Sequence, residues 1–382
     1  MGTIRKRSKK GWTIQWDDPR GPDGKRRQRS KVIYGTRKEA EEALALIEHQ
    51  IRTGEYVEPS RMTLAALLER WLKDSASSRV SPKTFQEYER MIRNHIVPAL
   101  GSLQVQRITP MQIQAFYSKV LECGRLDGKG GLSPRSVLHI HALLHRVFSQ
   151  AVRWQILPRN PVDAVDPPRV PRTEMKSLSV EEISVLLEAA RDTTLFLPIA
   201  IALGTGLRRG EVLGLRWSSV DLEGGSLAVT RSIEQTKAGI RAKAPKTHRS
   251  LRPVKMPASL VKILRTAKAE RMLKAGPDFS DEDYICLRED GSLWPPDVLS
   301  HRFTDLIRTL DITQVRFQDL RHTFATLSLQ QGIHPKVVSE MLGHSSVNIT
   351  LDTYSHVMPD MQEQAAARID EILGSAIIKR KQ

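Results

Sequence analysis

The chain has 382 residues, of which 27% are charged and 40% hydrophobic, a mixture typical of globular domains. Its 59 Lys and Arg residues outnumber its 43 Asp and Glu residues, and the net charge of +16 predicts a polyanionic partner, nucleic acid before an anionic membrane. The longest apolar run, from Leu195 to Leu203, is too short to span a bilayer. Two cysteines are too few for a disulfide framework or a zinc site, and the basic N-terminus lacks the apolar segment of a secretion signal. We therefore expect a cytoplasmic protein that acts on nucleic acid and does not enter a membrane.

Residues 1–58 are predicted to form a small domain in which a three-stranded β-sheet packs on one helix. The first 38 residues contain 13 Lys and Arg against 3 Asp and Glu, a net charge of +10. A capping box, Thr36-x-x-Glu39, predicts the start of the helix. Three segments typical of short strands precede it, separated by polar turns: 3–7, 11–17 and 26–34.

Residues 62–165 change character and predict a helical bundle. Three Ser/Thr-Pro pairs, at 81–82, 109–110 and 133–134, each place an N-cap before a proline at the first helical position. Apolar residues recur at helical spacing, as in Leu64, Leu67, Leu68, Trp71 and Leu72. We expect four helices in this domain, without a catalytic constellation.

A proline-rich linker, residues 166–176, leads into a third and larger domain, residues 177–382. Its first helix is predicted to start at the capping box Ser179-x-x-Glu182. The whole chain is therefore expected to be multidomain and mainly α, with a small N-terminal sheet, a helical bundle and a mixed α+β C-terminal domain. Four separated clusters in that last domain carry side chains suited to chemistry.

The first cluster, GTGLRRGEVLGLRW, places Arg208 at the start of a helix, where backbone N–H groups and the helix dipole favour an anion. A plain alternative is a surface ion pair between Arg208 and Glu211. The second cluster, residues 236–257, connects two predicted strands, SLAVTRSI and SLRPVKMP. It contains seven Lys and Arg residues and no acid. It is either a solvated hairpin or a means of delivering a mobile lysine to a phosphate.

The third cluster, FQDLRHTFATL, places Gln318 and Arg321 on one face of a predicted helix. The fourth, MLGHSSVNITLDTYSH, contains His344 and Tyr354. Taken singly, the histidine is equally typical of a cap or core residue, and the tyrosine of amphipathic packing. Because SSVNITLDT is polar, we expect Tyr354 to lie in a short, mobile strand or loop beside a substrate and not in a core.

Together these residue types fit chemistry at a phosphodiester. Two arginines at helix starts can hold the non-bridging oxygens of one phosphate. A histidine can add a hydrogen bond, a lysine can protonate a leaving alkoxide, and a tyrosine can act as the nucleophile. The sequence contains no metal-ligand spacing, P-loop or dinucleotide fingerprint. We expect cationic side chains to carry the charge stabilisation, with no cofactor and no metal.

The motifs TGLRRGEVLGLRW, QDLRHTFAT and LGHSSVNITLDTYSH, with PKT in the basic connection, resemble those of the tyrosine recombinase, or phage integrase, family. The resemblance extends over the whole chain. Residues 1–58 resemble the arm-type DNA-binding domain of such integrases, 62–165 their helical, SAM-like core-binding domain, and 177–382 their catalytic domain.

The resemblance implies a role for each matching residue. Arg208 and Arg321 would bind the scissile phosphate, and His344 would hydrogen-bond it in the transition state. Lys246, in PKT, would protonate the 5′-oxygen. Tyr354 would attack the phosphorus, giving a 3′-phosphotyrosyl link and a free 5′-hydroxyl.

Three positions need separate comment. Lys243 is a less favoured occupant of the lysine role, and Glu211 matches an acidic residue that supports the first arginine. Gln318 stands where the family usually has histidine. Glutamine can donate and accept hydrogen bonds but cannot take a proton near neutral pH, so we expect it to contact or position the phosphate and not to act as a general base.

The implied function is a site-specific DNA recombinase that integrates or excises a mobile element or prophage. Two other functions stay open: a DNA-binding regulator with impaired catalysis, which Gln318 alone supports, and a type IB topoisomerase-like enzyme. The implied partners are double-stranded DNA at core-type and arm-type attachment sites and three further copies of the chain in a homotetramer. The family also suggests an excisionase, a host DNA-bending protein and a place at the nucleoid of a bacterial cytoplasm.

Overall fold

The computed structural model describes residues 2–8, 11–18, 26–53, 56–171, 175–236, 238–243 and 252–355, with isolated positions between 366 and 373. The chain divides into two compact units, Met1–Arg172 and Thr173–Gln382. The predicted separation of residues 1–58 from 62–165 as independent domains stays a prediction.

The first unit begins with the predicted three-stranded antiparallel sheet, in the order β1 (Thr3–Ser8), β2 (Gly11–Asp17) and β3 (Gln28–Tyr34). Ile14 and Trp16 of β2 are buried and pack with Leu44 of α1 (Arg37–Thr53). Thr36 and Glu39 form the expected capping box, since each side chain accepts a hydrogen bond from the other's amide. The sheet and its helix are therefore confirmed.

The remainder of the first unit is helical. Ser81, Thr109 and Ser133 each cap a helix whose first residue is proline, as predicted. The apolar faces meet in one core that includes Leu67, Phe148 and their neighbours. The helices are α2 (Leu64–Trp71), α3 (Pro82–Met91), α4 (Val97–Leu100), α5 (Pro110–Cys123) and α6 (Pro134–Arg153), with π-helical turns at Leu72–Ala76 and Ile92–Ile96.

The second unit combines helices with two small sheets. Its helices before the strands are α7 (Val180–Ala190), α8 (Phe196–Thr205) and α9 (Arg209–Leu213). Its strands are β4 (Val220–Asp221), β5 (Ser226–Val229), β6 (Ser232–Thr236), β7 (Gly239–Lys243) and β8 (Arg252–Lys255). Its later helices are α10 (Ala258–Ala275), α11 (Pro296–Arg308), α12 (Leu320–Gln330), α13 (Pro335–Leu342) and α14 (Val347–Tyr354).

The segment SLAVTRSI differs from its prediction as one strand. Its first half, β5, lies between β4 and β8 in a three-stranded antiparallel sheet, whereas its second half, β6, forms a hairpin with β7. The two halves pair with different strands, so the segment is two strands. The basic connection from 244 to 251, which contains Lys246, lies outside the described residues.

The core of the second unit has two parts. The larger part lies among α7–α11 and the three-stranded sheet and includes Ile199, Leu213 and Phe303. A smaller cluster joins α12, α13 and α14, and its largest buried member is Tyr354. The fold is mainly helical with small sheets, as expected. No helix among the described residues is long and apolar enough to cross a bilayer.

Candidate active site

Arg208 lies where the buried helix α8 gives way to α9. Glu211 accepts a hydrogen bond from the Arg208 amide at 3.1 Å and one from its Nη1 at 2.9 Å. The ion pair that was the plain alternative for this arginine is therefore present. The Arg208 side chain nevertheless remains 40% exposed, so part of its guanidinium is available to a ligand.

The carboxylate of Glu211 is buried between two guanidinium groups. Besides Arg208, it binds Nη2 of Arg252, at 3.1 Å. Burial alone would raise the pKa of Glu211, but the charges of Arg252 and Arg208 outweigh it and leave the pKa below its ordinary value. Glu211 is therefore ionised near neutral pH and orients both arginines, in keeping with the supporting role expected of it.

Arg321, the second residue of α12, is almost completely buried, with 4% of its surface exposed. Its Nη1 donates to the carbonyl oxygen of Gly206, at 2.8 Å. Its Nη2 is buried and has no hydrogen-bond partner in the described part of the chain. Burial, together with the nearby charge of Arg208, lowers the pKa of Arg321 to about 9. A buried guanidinium with an unused N–H is suited to receiving an anion.

Two glycines bring the arginines together. Gly206 and Gly343 end helices α8 and α13 in the left-handed conformation, with φ of 66° and 67°. The carbonyl of Gly206 accepts from Arg321, and that of Gly343 accepts from Nη2 of Arg208 at 3.4 Å. A Cβ on Gly206 would lie 2.4 Å from the Phe324 ring. These turns therefore favour glycine, and their carbonyl oxygens bind both arginines.

His344 follows Gly343 directly, so it lies beside the same arginines. Its Nδ1 is 2.8 Å from the hydroxyl of Thr350, which is fully buried. Burial, and then the charges of Arg321 and Arg208, lower the pKa of His344 to about 4. The imidazole is therefore neutral near pH 7, with a single N–H to donate.

Tyr354 does not lie in the mobile strand or loop that the polar sequence suggested. It is the last residue of helix α14 and is 1% exposed. The prediction was wrong because Ser346 caps a helix here, and Thr350 and Tyr354, one turn apart, lie on the face that is buried against α12 and α13. The Tyr354 hydroxyl lies 2.6 Å from Nδ1 of His322, and burial raises the pKa of the phenol to about 12.

Gln318 lies just before Arg321, in a short 3₁₀ turn, Phe317–Asp319. Its Oε1 accepts a hydrogen bond from the amide of Arg209 at 3.3 Å, so it links the starts of α9 and α12. Lys243 of β7 is paired with the buried carboxylate of Glu234. That contact occupies Lys243 and is consistent with the preference for Lys246, which lies outside the described residues.

Comparison with known proteins decides the family. The model described as "Phage integrase family" matches residues 176–361, and that described as "Phage integrase, N-terminal SAM-like domain" matches residues 63–121. A XerC-like tyrosine recombinase of Caldanaerobacter subterraneus subsp. tengcongensis is 32% identical over 90% of this chain and 92% of its own. The ICEBs1 integrase of Bacillus subtilis is 29% identical over 91% and 93%.

The chain belongs to the phage integrase family of tyrosine recombinases. Solved structures show the same fold. The Tn1549 transposon integrase, in complex with a circular intermediate DNA, is similar with a TM-score of 0.67 and 21% identity over 81% of this chain and 99% of that one. A lambda integrase dimer bound to a core site gives a TM-score of 0.57 and 21% identity over 94% of each chain.

Three further residues contact the site, and the sequence motifs did not single them out. Arg252 shares the carboxylate of Glu211, Thr350 contacts His344, and His322 contacts Tyr354. Only His322 carried a signal, because it stands next to Arg321 in the motif QDLRHTFAT. Arg252 contacts Glu211, a residue distant from it in the sequence, and the Thr350 hydroxyl resembles any other hydroxyl in a polar segment.

The described site therefore unites five of the six predicted residues. Arg208 and Arg321 share the turn at Gly206, His344 follows the carbonyl that binds Arg208, and Tyr354 is held by the neighbour of Arg321. Gln318 joins the same helix starts. No group of three or more metal-ligating side chains occurs among the described residues. The arrangement brings together two guanidinium groups, a neutral imidazole and a phenol that is buried against His322.

Proposed function

We propose that the chain is a site-specific DNA recombinase, an integrase that cleaves and rejoins DNA through a 3′-phosphotyrosyl intermediate to integrate or excise a mobile element or prophage. The observation that carries the proposal is the convergence of Arg208 and Arg321 on one turn, with the buried Nη2 of Arg321 unpartnered among the described residues. A phosphodiester would supply the missing acceptor and the negative charge.

In the proposed reaction, Arg208 and Arg321 bind the non-bridging oxygens of the scissile phosphate and neutralise the charge that grows in the transition state. His344 adds the one N–H that its neutral ring can donate; in the tautomer whose Nδ1 accepts from the Thr350 hydroxyl, this N–H is on Nε2 and can reach the phosphate. The Tyr354 oxygen attacks phosphorus, the P–O5′ bond breaks, and Lys246 supplies the proton that completes the 5′-hydroxyl. The phosphotyrosyl bond conserves the energy of the broken diester, so rejoining needs no cofactor.

Gln318 is proposed to position groups and not to transfer protons. Its Oε1 is used by the Arg209 amide, and its amide nitrogen can donate to the phosphate or to a neighbouring group. Such a role supports catalysis without the histidine usual in the family. With such a role, the glutamine at this position is not an argument for a DNA-binding regulator that has lost catalysis.

The proposed partners follow from the charge and the relatives. Residues 62–165 and 177–382 would grip core-type sites, and the basic domain 1–58 would read arm-type sites. The relatives include a lambda integrase tetramer on a Holliday junction, and we propose that four copies of this chain also act together on two duplexes. An excisionase and a host bending protein would set direction, in the cytoplasm and at the nucleoid of a bacterial host.

The experiment uses a suicide substrate, a core site nicked just beyond the cleavage position. Release of the short fragment after cleavage traps the covalent complex, which a denaturing gel separates from free protein. A recombinase forms the adduct on its own site and yields recombinant products from two intact sites. A covalent adduct and relaxation of supercoiled DNA, without recombinant products, would indicate a topoisomerase. DNA binding without a covalent adduct would indicate a regulator.

A further inference from the structure

The contact between His322 and Tyr354 is not used by the mechanism so far. Tyr354 is proposed to attack as an oxygen nucleophile, but burial raises its pKa to about 12, so the phenol keeps its proton near neutral pH. A neutral phenol is a weak nucleophile, and its proton must leave as the bond to phosphorus forms. Some group next to the hydroxyl therefore has to receive that proton.

Gln318 cannot be that group, because an amide does not take a proton in this pH range. His344 faces the arginines, and its Nδ1 is engaged with Thr350. His322 is different, because its Nδ1 lies 2.6 Å from the Tyr354 oxygen, the separation of a short O–H···N hydrogen bond. Since a neutral phenol donates and an unprotonated imidazole nitrogen accepts, this geometry places a base directly on the nucleophile.

We propose that His322 is the general base of strand cleavage, a role that rests on the proposed function of Tyr354 as nucleophile. As the Tyr354 oxygen bonds to phosphorus, its proton passes to Nδ1 of His322, and the P–O5′ bond breaks with protonation of the 5′-oxygen by Lys246. In rejoining, the 5′-oxygen attacks phosphorus as Lys246 takes back its proton, the bond between phosphorus and the tyrosine oxygen breaks, and His322 returns the proton to that oxygen.

The surroundings of His322 suit a base. Burial lowers its pKa, Asp319 opposes this, and Arg321 and Arg316 lower it further. Among the described residues, the titratable groups that face it from other elements are Tyr354, at the end of α14, and His344, between α13 and α14. His322 is therefore unprotonated near neutral pH and able to accept. Because Tyr354 is 1% exposed, neighbouring side chains must part to admit the phosphate, while the base is already in contact with the oxygen.

The test compares full-length wild-type protein with His322→Asn in single-turnover adduct formation on the suicide substrate. The asparagine oxygen can still accept a hydrogen bond from the phenol but cannot carry away its proton. We expect adduct formation to slow by about a hundredfold or more, the usual contribution of a general base. The wild-type rate should fall in acid, below the ordinary histidine pKa, and this inflection should be missing in His322→Asn. An unchanged rate would overturn the proposal.

A second substrate separates the base from the acid. Sulfur in place of the bridging 5′-oxygen gives a leaving group that needs no proton, so it should restore the rate of Lys246→Ala but not that of His322→Asn. Restoration of His322→Asn would show that the histidine serves the leaving group and would overturn the proposal. His301→Asn, at an exposed histidine of α11, is the matched control and should keep the wild-type rate. DNA affinity and the melting temperature establish that His322→Asn is folded.

The two proposals fail in different ways. If wild type forms no adduct, or if Tyr354→Phe still forms one, the proposed function is wrong. If wild type forms an adduct through Tyr354 and His322→Asn forms it equally fast, only the inferred base is wrong.

Discussion

Arg321 donates a hydrogen bond from Nη1 to the main-chain oxygen of Gly206 at 2.8 Å, and this bond ties the second arginine of the site to the turn that presents the first. The turn exists because Gly206 adopts φ of 66° with Phe324 and Leu342 packed against it. Gly206 is therefore constrained by its left-handed backbone conformation, by the side chains packed against it and by its hydrogen bond from Arg321.

We predict that Gly206→Ala destabilises the second unit by about 2–5 kcal/mol, because left-handed strain and overpacking add. A Cβ there would lie 2.4 Å from Phe324 and 2.7 Å from Leu342. Gly332→Ala is the matched control, since φ is 77° but nothing lies within 4 Å of the added atom. Gly332→Ala should lower the free energy of unfolding only by the backbone strain, about 1–2 kcal/mol. Equilibrium denaturation measures both, and equal losses would show that the packing around Gly206 can adapt.

The contribution that the charge of Glu211 makes to stability can be separated from that of its packing by varying the pH. Glu211→Gln leaves Arg208 and Arg252 without their shared carboxylate, and removing one partner of such a buried pair typically costs about 3–5 kcal/mol. Because the folded pKa of Glu211 is lowered, the stabilisation is fully present above the ordinary carboxyl pKa of 4.5 and is lost as pH falls through the folded value. The difference between wild type and variant should therefore shrink in acid.

The measurement is denaturant unfolding of both proteins from neutral pH down to about pH 2, because the stabilisation is lost only below the ordinary carboxyl pKa. Glu340→Gln, which removes an exposed i,i+4 pair with Lys336, is the control and should change stability little at any pH. A wild-type advantage that stays constant across this range would mean that Glu211 acts through shape and not through charge.

Gln318 is predicted to be useful without being a base. Gln318→Ala removes the acceptor for the Arg209 amide and any donor toward the phosphate, and losing one such transition-state hydrogen bond lowers the rate by about a hundredfold, or roughly 3 kcal/mol. Gln318→His should retain activity, because an imidazole also accepts and donates. Single-turnover cleavage distinguishes the variants. Alanine and wild type reacting at the same rate would show that the position is idle.

Local rules predicted the elements of this fold well. The capping residues Thr36, Ser81 and Ser179 start helices because their side chains satisfy nearby amides, a condition written within four residues of sequence. Arg208 and Arg321 also lie near predicted helix starts, but their roles were inferred from the motifs shared with the tyrosine recombinase family.

The misplaced and missed residues depend on contacts between distant segments. Tyr354 is buried because α14 folds onto α12 and α13, which the polarity of its own segment cannot reveal. Arg252 joins the site from β8 through Glu211, and a basic stretch with seven cations offers no reason to select it. The division of SLAVTRSI into β5 and β6 likewise depends on which strands lie alongside.

The basic N-terminal domain is predicted to read distal DNA sites. Its sheet buries Ile14 and Trp16 on α1, which leaves the opposite face, where Arg5 pairs with Thr13, for a groove. Deleting residues 1–58 should spare cleavage of a minimal core site but abolish recombination that requires arm sites, because a tethered second module raises the local concentration of its target. The isolated fragment should footprint a discrete sequence. Equal binding to every duplex, fading with salt, would leave only an electrostatic role.

The most direct test of the account is to locate the protein–DNA bond. Wild-type adduct from the suicide substrate, trimmed with nuclease and digested, should yield one peptide carrying a nucleotide on Tyr354, with the phosphate at the 3′ end of the cleaved strand. Tyr354→Phe should bind the same DNA with nearly unchanged affinity and yield no adduct, because only the phenolic oxygen is lost. A nucleotide on another residue, or an adduct that persists in Tyr354→Phe, would contradict the assignment of Tyr354 as the nucleophile.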